Sequence, residues 1–211
     1  MSELLLLREY FALCPDGMCS RTRLTEAEKM FVGDGGLILT GVIQRANTKN
    51  GNDRIYPKEY LDREMKKYQS LIELDMAYGE LDHADKDVVE FERVSHRLVE
   101  WWWQGDDLYG KLRVMPTAKG NIIKAVIGDG GQVGTSSRAL GSLQESIGGG
   151  GSMVGSDLAL ICFDIVTNPS TMGAIAKPER LSEGQIQNLM TSVDPKRLKI
   201  RKSLEGILGL R

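Results

Sequence analysis

Only two histidines occur in the 211-residue chain, His83 and His96, so any imidazole chemistry must use one of them. His83 sits in Gly79-Glu80-Leu81-Asp82-His83, a polar segment with two carboxylates. Neighbouring carboxylates raise the basicity of an imidazole and orient its ring, which suits a general base. The same segment also reads as an ordinary solvated loop. His96, in Val94-Ser95-His96-Arg97-Leu98, falls inside a predicted strand and reads as structural. A matching nucleophile comes from Ser136-Ser137-Arg138, approached through Gly130-Gly131-Gln132-Val133-Gly134 and followed by Gly141. A serine needs an adjacent base, and a tight turn exposes its hydroxyl beside backbone N–H donors. The alternative is a plain Gly/Ser turn between strands. A nucleotide phosphate loop is disfavoured, because no Gly-Lys-Ser/Thr follows the glycines.

Metal chemistry finds less support. Cys14 and Cys19 stand at the edge of zinc-pair spacing, Cys162 is alone, and no second pair completes a four-ligand set. No metal and no cofactor is therefore expected. The run Trp101-Trp102-Trp103 puts two indoles on one face of a strand and one on the other. An aromatic platform for sugars or bases is one reading, and core packing of large rings is the favoured one.

The elements that must position these residues are mostly strands. Leu37–Ile43 reads as a buried strand, and Pro57 opens a helix that runs to about Ser70. Val88–Trp103 and Leu108–Met115 read as two strands joined by the turn Gln104-Gly105-Asp106-Asp107. Lys119–Ile127 is a short helix that stops at Gly128, a hairpin passes through Gly148–Gly151, and Leu158–Val166 is a further strand. No strand-helix alternation calls for a parallel sheet. The composition changes at Lys177-Pro178, which divides the chain into a body, 1–177, and an extension, 178–211. From Lys177 onward there are eight basic and four acidic residues. Ile200, Leu204, Ile207 and Leu208 recur there at helical spacing.

Composition narrows the classes of function. The chain carries 27 Lys+Arg against 29 Asp+Glu, a net of -2, so no whole-molecule basic field points to nucleic acid. No apolar run approaches the ~20 residues that span a bilayer. Leu4–Leu7 is short, lacks a preceding basic run and makes a poor signal peptide. Three cysteines is an odd count, which fits a reducing cytoplasm better than a disulfide framework.

Five segments taken in order resemble one family, the prohead (capsid-maturation) serine proteases of large contractile-tailed bacteriophages. They are Asn52-Asp53-Arg54-Ile55-Tyr56-Pro57, Gly79–His83, Trp101-Trp102 with Tyr109-Gly110, Gly134-Thr135-Ser136-Ser137-Arg138-Ala139-Leu140-Gly141, and Asp164-Ile165-Val166 with Pro169-Ser170. Ala84 replaces a usual proline and Ala139 a frequent glycine, which puts the local turn geometry in question. The family is similar to herpesvirus assemblins. That resemblance implies an α+β fold with a mostly antiparallel β-barrel core surrounded by helices, followed here by a helical C-terminal extension. It implies His83 as general base and Ser136 as nucleophile, with Ser137 the alternative. The assemblin triad places a second His after the serine, but both histidines here precede Ser136. A carboxylate must therefore orient His83 if the triad is complete; Asp164 is the choice, with Glu80 and Asp82 as runners-up. Arg138 is assigned to the oxyanion site, through its backbone N–H or a water.

The implied activity is a serine endopeptidase that processes scaffold, core and capsid proteins inside an assembling prohead in the host cytoplasm. It acts without specific nucleic-acid or membrane partners. Assemblins pair as dimers, so self-association is a further expectation. Family members cut after Glu with an aliphatic residue two positions earlier, and Leu181-Ser182-Glu183-Gly184 fits, which implies self-cleavage after Glu183. The same short pattern at Leu24-Thr25-Glu26 and Leu143-Gln144-Glu145 shows how easily it arises by chance. Two readings compete: a non-catalytic capsid or scaffold-binding module with the same fold, and a carbohydrate-binding domain built on the tryptophans.

Overall fold

The computed structural model describes residues 5–12, 24–145, 151–167 and 177–178. In chain order these form β1 (Leu5–Ala12), α1 (Glu26–Gly33), β2 (Leu37–Arg45), β3 (Arg54–Ile55), α2 (Lys58–Glu73), β4 (Tyr78–Glu80) and β5 (Val94–Gln104). They continue with β6 (Asp107–Val114), α3 (Ala118–Gly128), β7 (Gly134–Gly141), β8 (Leu143–Glu145), β9 (Ser152–Val154), β10 (Ala159–Val166) and β11 (Lys177–Pro178). The expected helical extension, the Cys14–Cys19 pair and the cleavage motif at Glu183 lie outside the described residues. Residues of α1 belong to a separate unit from the one that holds the sheets. Within it, Thr25 and Glu28 cap α1 reciprocally, Thr25 N–H donating to Glu28 Oε2 at 2.7 Å and Glu28 N–H to Thr25 Oγ1 at 3.2 Å.

The strands form three sheets. A five-stranded sheet has the order β11-β2-β6-β5-β4 and is antiparallel throughout. A three-stranded antiparallel sheet has the order β1-β7-β10. A small sheet, β3-β9-β8, pairs β9 with β3 in parallel and with β8 antiparallel, the latter across the expected hairpin. The mixed, mostly antiparallel α+β architecture matches the expectation, but among the described residues the strands do not close into a barrel. At one seam β4 meets β10 through a single bridge, Leu81 to Ile165, with Asp82 N–H donating to the Ile165 carbonyl at 2.8 Å. Asp82 then takes φ 59°, a left-handed conformation that no strand continues through. At the other seam β2 meets β7 through side chains: Gln44 Nε2 donates to Ser137 Oγ, and Thr135 Oγ1 to the Val42 carbonyl.

The core lies between the five-stranded sheet, the β7–β10 face and helices α2 and α3. Leu39, Ile43, Leu98, Leu108 and Leu112 meet Met65 and Tyr68 from α2, Ile123 from α3, and Phe163 and Ile165 from β10. Trp101 and Trp103 pack against this core, and their indole N–H groups donate to Gln69 and Asp62 of α2. Trp102, on the opposite face, stacks on its cross-strand partner Tyr109 with centroids 5.6 Å apart. The alternation read from the sequence is therefore the one observed, and two of the three rings serve packing.

One expected strand is shorter than its apolar pattern suggests. Residues 88–90 are irregular, 91–93 form a turn, and β5 starts only at Val94. The backbone here is claimed by tertiary partners. Glu90 N–H donates to the Glu80 carboxylate at 2.5 Å, and the Val88 carbonyl faces Arg138 at 3.5 Å.

Gly79 in β4 is opposite His96, and a Cβ there would overlap the Phe163 carbonyl and the His96 ring. Gly79→Ala should cost ~3 kcal/mol in urea unfolding, as overpacking against backbone does. Gly128→Ala, whose Cβ meets open space at the end of α3, should be neutral or stabilising by up to ~1 kcal/mol.

Candidate active site

Strand periodicity creates the site. On β7, Ser136 and Arg138 share one face while Thr135 and Ser137 take the other; on β10, Cys162 and Asp164 share a face and Phe163 and Ile165 the opposite one. The register sets Ser136 directly across from Asp164 and Arg138 across from Cys162. Phe163 and Ile165 enter the core, so the polar set Ser136, Arg138, Cys162 and Asp164 is turned to the other side, where β4 and the segment after it lie. All four residues are fully buried.

His83 arrives from the segment beyond the Asp82 turn. Its Nδ1 lies 3.0 Å from Asp164 Oδ2. An ionised carboxylate can only accept, so Nδ1 carries the hydrogen and the neutral ring keeps its basic lone pair on Nε2. The Oδ1 atom of Asp164 accepts from Glu80 N–H at 3.0 Å, from the Cys162 thiol at 3.2 Å and from the Arg138 guanidinium at 3.3 Å. Burial alone would push the Asp164 carboxyl up. The His83 hydrogen bond, the Arg138 charge and the Glu80 amide outweigh it and hold the group below its ordinary value. Burial and the Asp164 charge together raise the Cys162 thiol well above the ordinary range, so it remains a neutral donor.

Arg138 is the largest fully buried side chain among the described residues. Its guanidinium lies 3.1 Å from Glu80 Oε2, while Nε approaches Asp164 Oδ2 at 3.1 Å as an ion pair not aligned for a hydrogen bond. A further N–H donates to the Lys86 carbonyl at 2.9 Å. Burial works against this charge, but the hydrogen bond to Cys162 Sγ and the Asp164 and Glu80 carboxylates more than offset it. The expectation of an oxyanion role for Arg138 finds no support in this geometry. Its side chain is committed to carboxylates and carbonyls, and β7 is hydrogen-bonded along both edges, by β1 and β10.

The runners-up are separated by where they point. Glu80 is fully buried, and its carboxylate is taken up by Glu90 N–H, Arg93 Nε and the Arg138 guanidinium. Asp82 is exposed. Ser137 faces the core side and its Oγ is bound by Gln44 Nε2 at 2.8 Å. Ser136 Oγ is buried and makes no hydrogen bond among the described residues, so the serine–histidine contact is not closed in this state. Such contacts commonly tighten only when substrate binds. The two departures from the family pattern are accommodated: Ala139 continues β7 with its methyl in the core beside Tyr56 and Leu158, and Ala84 is buried. Sequence reasoning missed the ties among Glu80, Arg93, Arg138 and Cys162. The two-residue spacing of 136/138 and 162/164 was the available signal.

A family model described as prohead core protein serine protease matches residues 18–186. The chain belongs to the prohead core protease family. It is 30% identical over 177 residues to the prohead core protein protease of Enterobacteria phage T4, covering 82% of this chain and 83% of that protein. The solved bacteriophage T4 capsid assembly protease superposes with a TM-score of 0.67 at 28% identity, covering 79% of this chain and 99% of that one. The chain is thus a protease of capsid assembly by family and by fold. Among the described residues of this prohead protease, no group of three or more His, Cys, Asp or Glu side chains could hold a metal ion.

His96, the second histidine, is fully buried between Ser95 Oγ, 2.8 Å from Nδ1, and the Phe163 carbonyl, 3.0 Å from Nε2. The carbonyl only accepts, so Nε2 carries the proton and the ring is neutral. Burial lowers its pKa from 6.5 to about 4. Between those values the unfolded chain binds more protons than the folded one, so stability must fall as pH drops from about 6.5 to about 4. The loss should approach ~3 kcal/mol in urea midpoints. His96 ring signals titrating near 6.5 in the folded protein would overturn this.

Proposed function

We propose that this prohead protease is a serine endopeptidase with Ser136 as nucleophile, His83 as general base and Asp164 as the orienting carboxylate. The observation that carries the reading is the Asp164 carboxylate, bound to His83 Nδ1 and directly opposite Ser136 in the β7–β10 register. In this mechanism His83 Nε2 takes the Ser136 proton as Oγ attacks a peptide carbonyl. The resulting imidazolium is stabilised by Asp164 and returns its proton to the leaving amine. Water then releases the acyl-enzyme by the same route in reverse. The substrates are scaffold, core and capsid proteins inside the assembling prohead, cut after Glu. Self-cleavage after Glu183 releases Gly184–Arg211 from the basic extension, 178–211.

Mass spectrometry of a peptide containing Leu-Ser-Glu-Gly, incubated with wild type and single variants, tests this. Wild type should cut after Glu. Ser136→Ala and His83→Ala should each lose at least about a thousandfold in rate, whereas Ser137→Ala should retain most activity. Equal cleavage by wild type and Ser136→Ala would reject Ser136 as nucleophile. In intact-mass series, wild type should lose Gly184–Arg211 with time while Ser136→Ala stays whole; wild type that never loses the segment would reject self-cleavage.

A further inference from the structure

We propose that Arg138 and Glu80 are a positioning pair for the His83–Asp164 couple, with Arg138 fastening both of its members through one guanidinium. This inference rests on the reading of Ser136, His83 and Asp164 given above. Three fully buried charged side chains meet here: Glu80, Arg138 and Asp164. Arg138 lies 3.1 Å from Glu80 Oε2 and within 3.3 Å of both Asp164 oxygens. It therefore sets the plane of the carboxylate that His83 binds. Through the Lys86 carbonyl it also pins the segment that carries His83, three residues earlier. Because Arg138 is two positions beyond Ser136 on the same strand face, nucleophile strand, base segment and carboxylate share one rigid anchor.

The charges balance only as a set. Glu80 and Asp164 are two buried carboxylates, offset by Arg138 and by the half-buried Arg93, 3.3 Å from Glu80 Oε2. The remaining groups around Asp164 are His83, the neutral thiol of Cys162, neutral His96 behind the strand, and Tyr68 from α2, whose hydroxyl burial keeps protonated. Removing Arg138 alone leaves two buried carboxylates with one partly exposed cation. A proton must then enter the site, where it competes with the ionised Asp164 that His83 needs. Removing Glu80 alone leaves excess positive charge and has the opposite sign. Removing both restores the balance.

The test uses Arg138→Met, Arg138→Lys, Glu80→Gln and the double variant Arg138→Met/Glu80→Gln in the full chain. Two readouts are taken: the acid limb of the kcat/KM profile for peptide cleavage, and the protonation midpoint of His83 by NMR in a Ser136→Ala background. The second needs no catalysis, so it decides the inference even if the peptide assay rejects Ser136. Arg138→Met should lower kcat at least about a hundredfold and move both midpoints up by roughly one pH unit. Glu80→Gln should move them down, the double variant should return them close to wild type, and Arg138→Lys should keep the wild-type midpoints with a reduced kcat. A folded Arg138→Met or Glu80→Gln variant whose midpoints stay at the wild-type value, or a shift of the two in the same direction, would overturn the proposal. If Arg138→Met does not fold, a downward shift in Glu80→Gln beside unmoved midpoints in Arg138→Lys supports the proposal, and a Glu80→Gln midpoint at the wild-type value overturns it.

Discussion

A buried guanidinium between two buried carboxylates is the interaction on which the rest of the site depends. Taking three charges out of water costs several kcal/mol each unless geometry and hydrogen bonding return it. Here the return comes from the strand register: Arg138 stands across from Cys162, and Ser136 across from Asp164. A one-residue slip of β10 against β7 would send Asp164 into the apolar core and bring Phe163 to the charged side. The register is thus held from both faces, by apolar packing on one and charge pairing on the other. The Asp82 turn, which stops β4 from extending its ladder, brings His83 back onto that charged face.

How much of this was legible depended on whether a feature is local. The alternation of Trp101, Trp102 and Trp103, the helix after Pro57 and the strand through Asp164 follow from short-range pattern, and they stand where the sequence placed them within a few residues. The strand expected to begin at Val88 begins at Val94, because Glu80, ten residues before Glu90, takes the amide that a ladder would have used. No window of sequence around Val88 contains that carboxylate's claim. Among the described residues the expected barrel does not close for a similar reason: one left-handed residue and two side-chain bridges stand at the seams in place of ladders.

The chemical residues divide in the same way. His83 was conspicuous by scarcity and Ser136 by its motif, but the sequence could not separate Ser136 from Ser137. Alternation separates them once β7 is known to be a strand rather than a turn, since Ser137 then faces Gln44. The family resemblance implies an oxyanion role for Arg138, through its backbone N–H or a water. Its side chain instead turns to Glu80, 58 positions away along the chain, and Asp164, 26 positions away. Long-range pairing of buried charges leaves no periodic trace in the sequence.

The position of β7 between β1 and β10 also sets a schedule for biogenesis. Its two flanking strands come from residues 5–12 and 159–166, and His83 arrives from between them in sequence. A nascent chain that has emerged only to β7 holds Ser136 and Arg138 without Cys162 or Asp164. Pairings of such long sequence separation are slow to form, because loop closure precedes the contacts that reward it. Under the proposed triad, emergence of residue 164 from the ribosome is therefore a timing gate: before it, the polypeptide being synthesised carries Ser136 and His83 without the Asp164 carboxylate that binds His83.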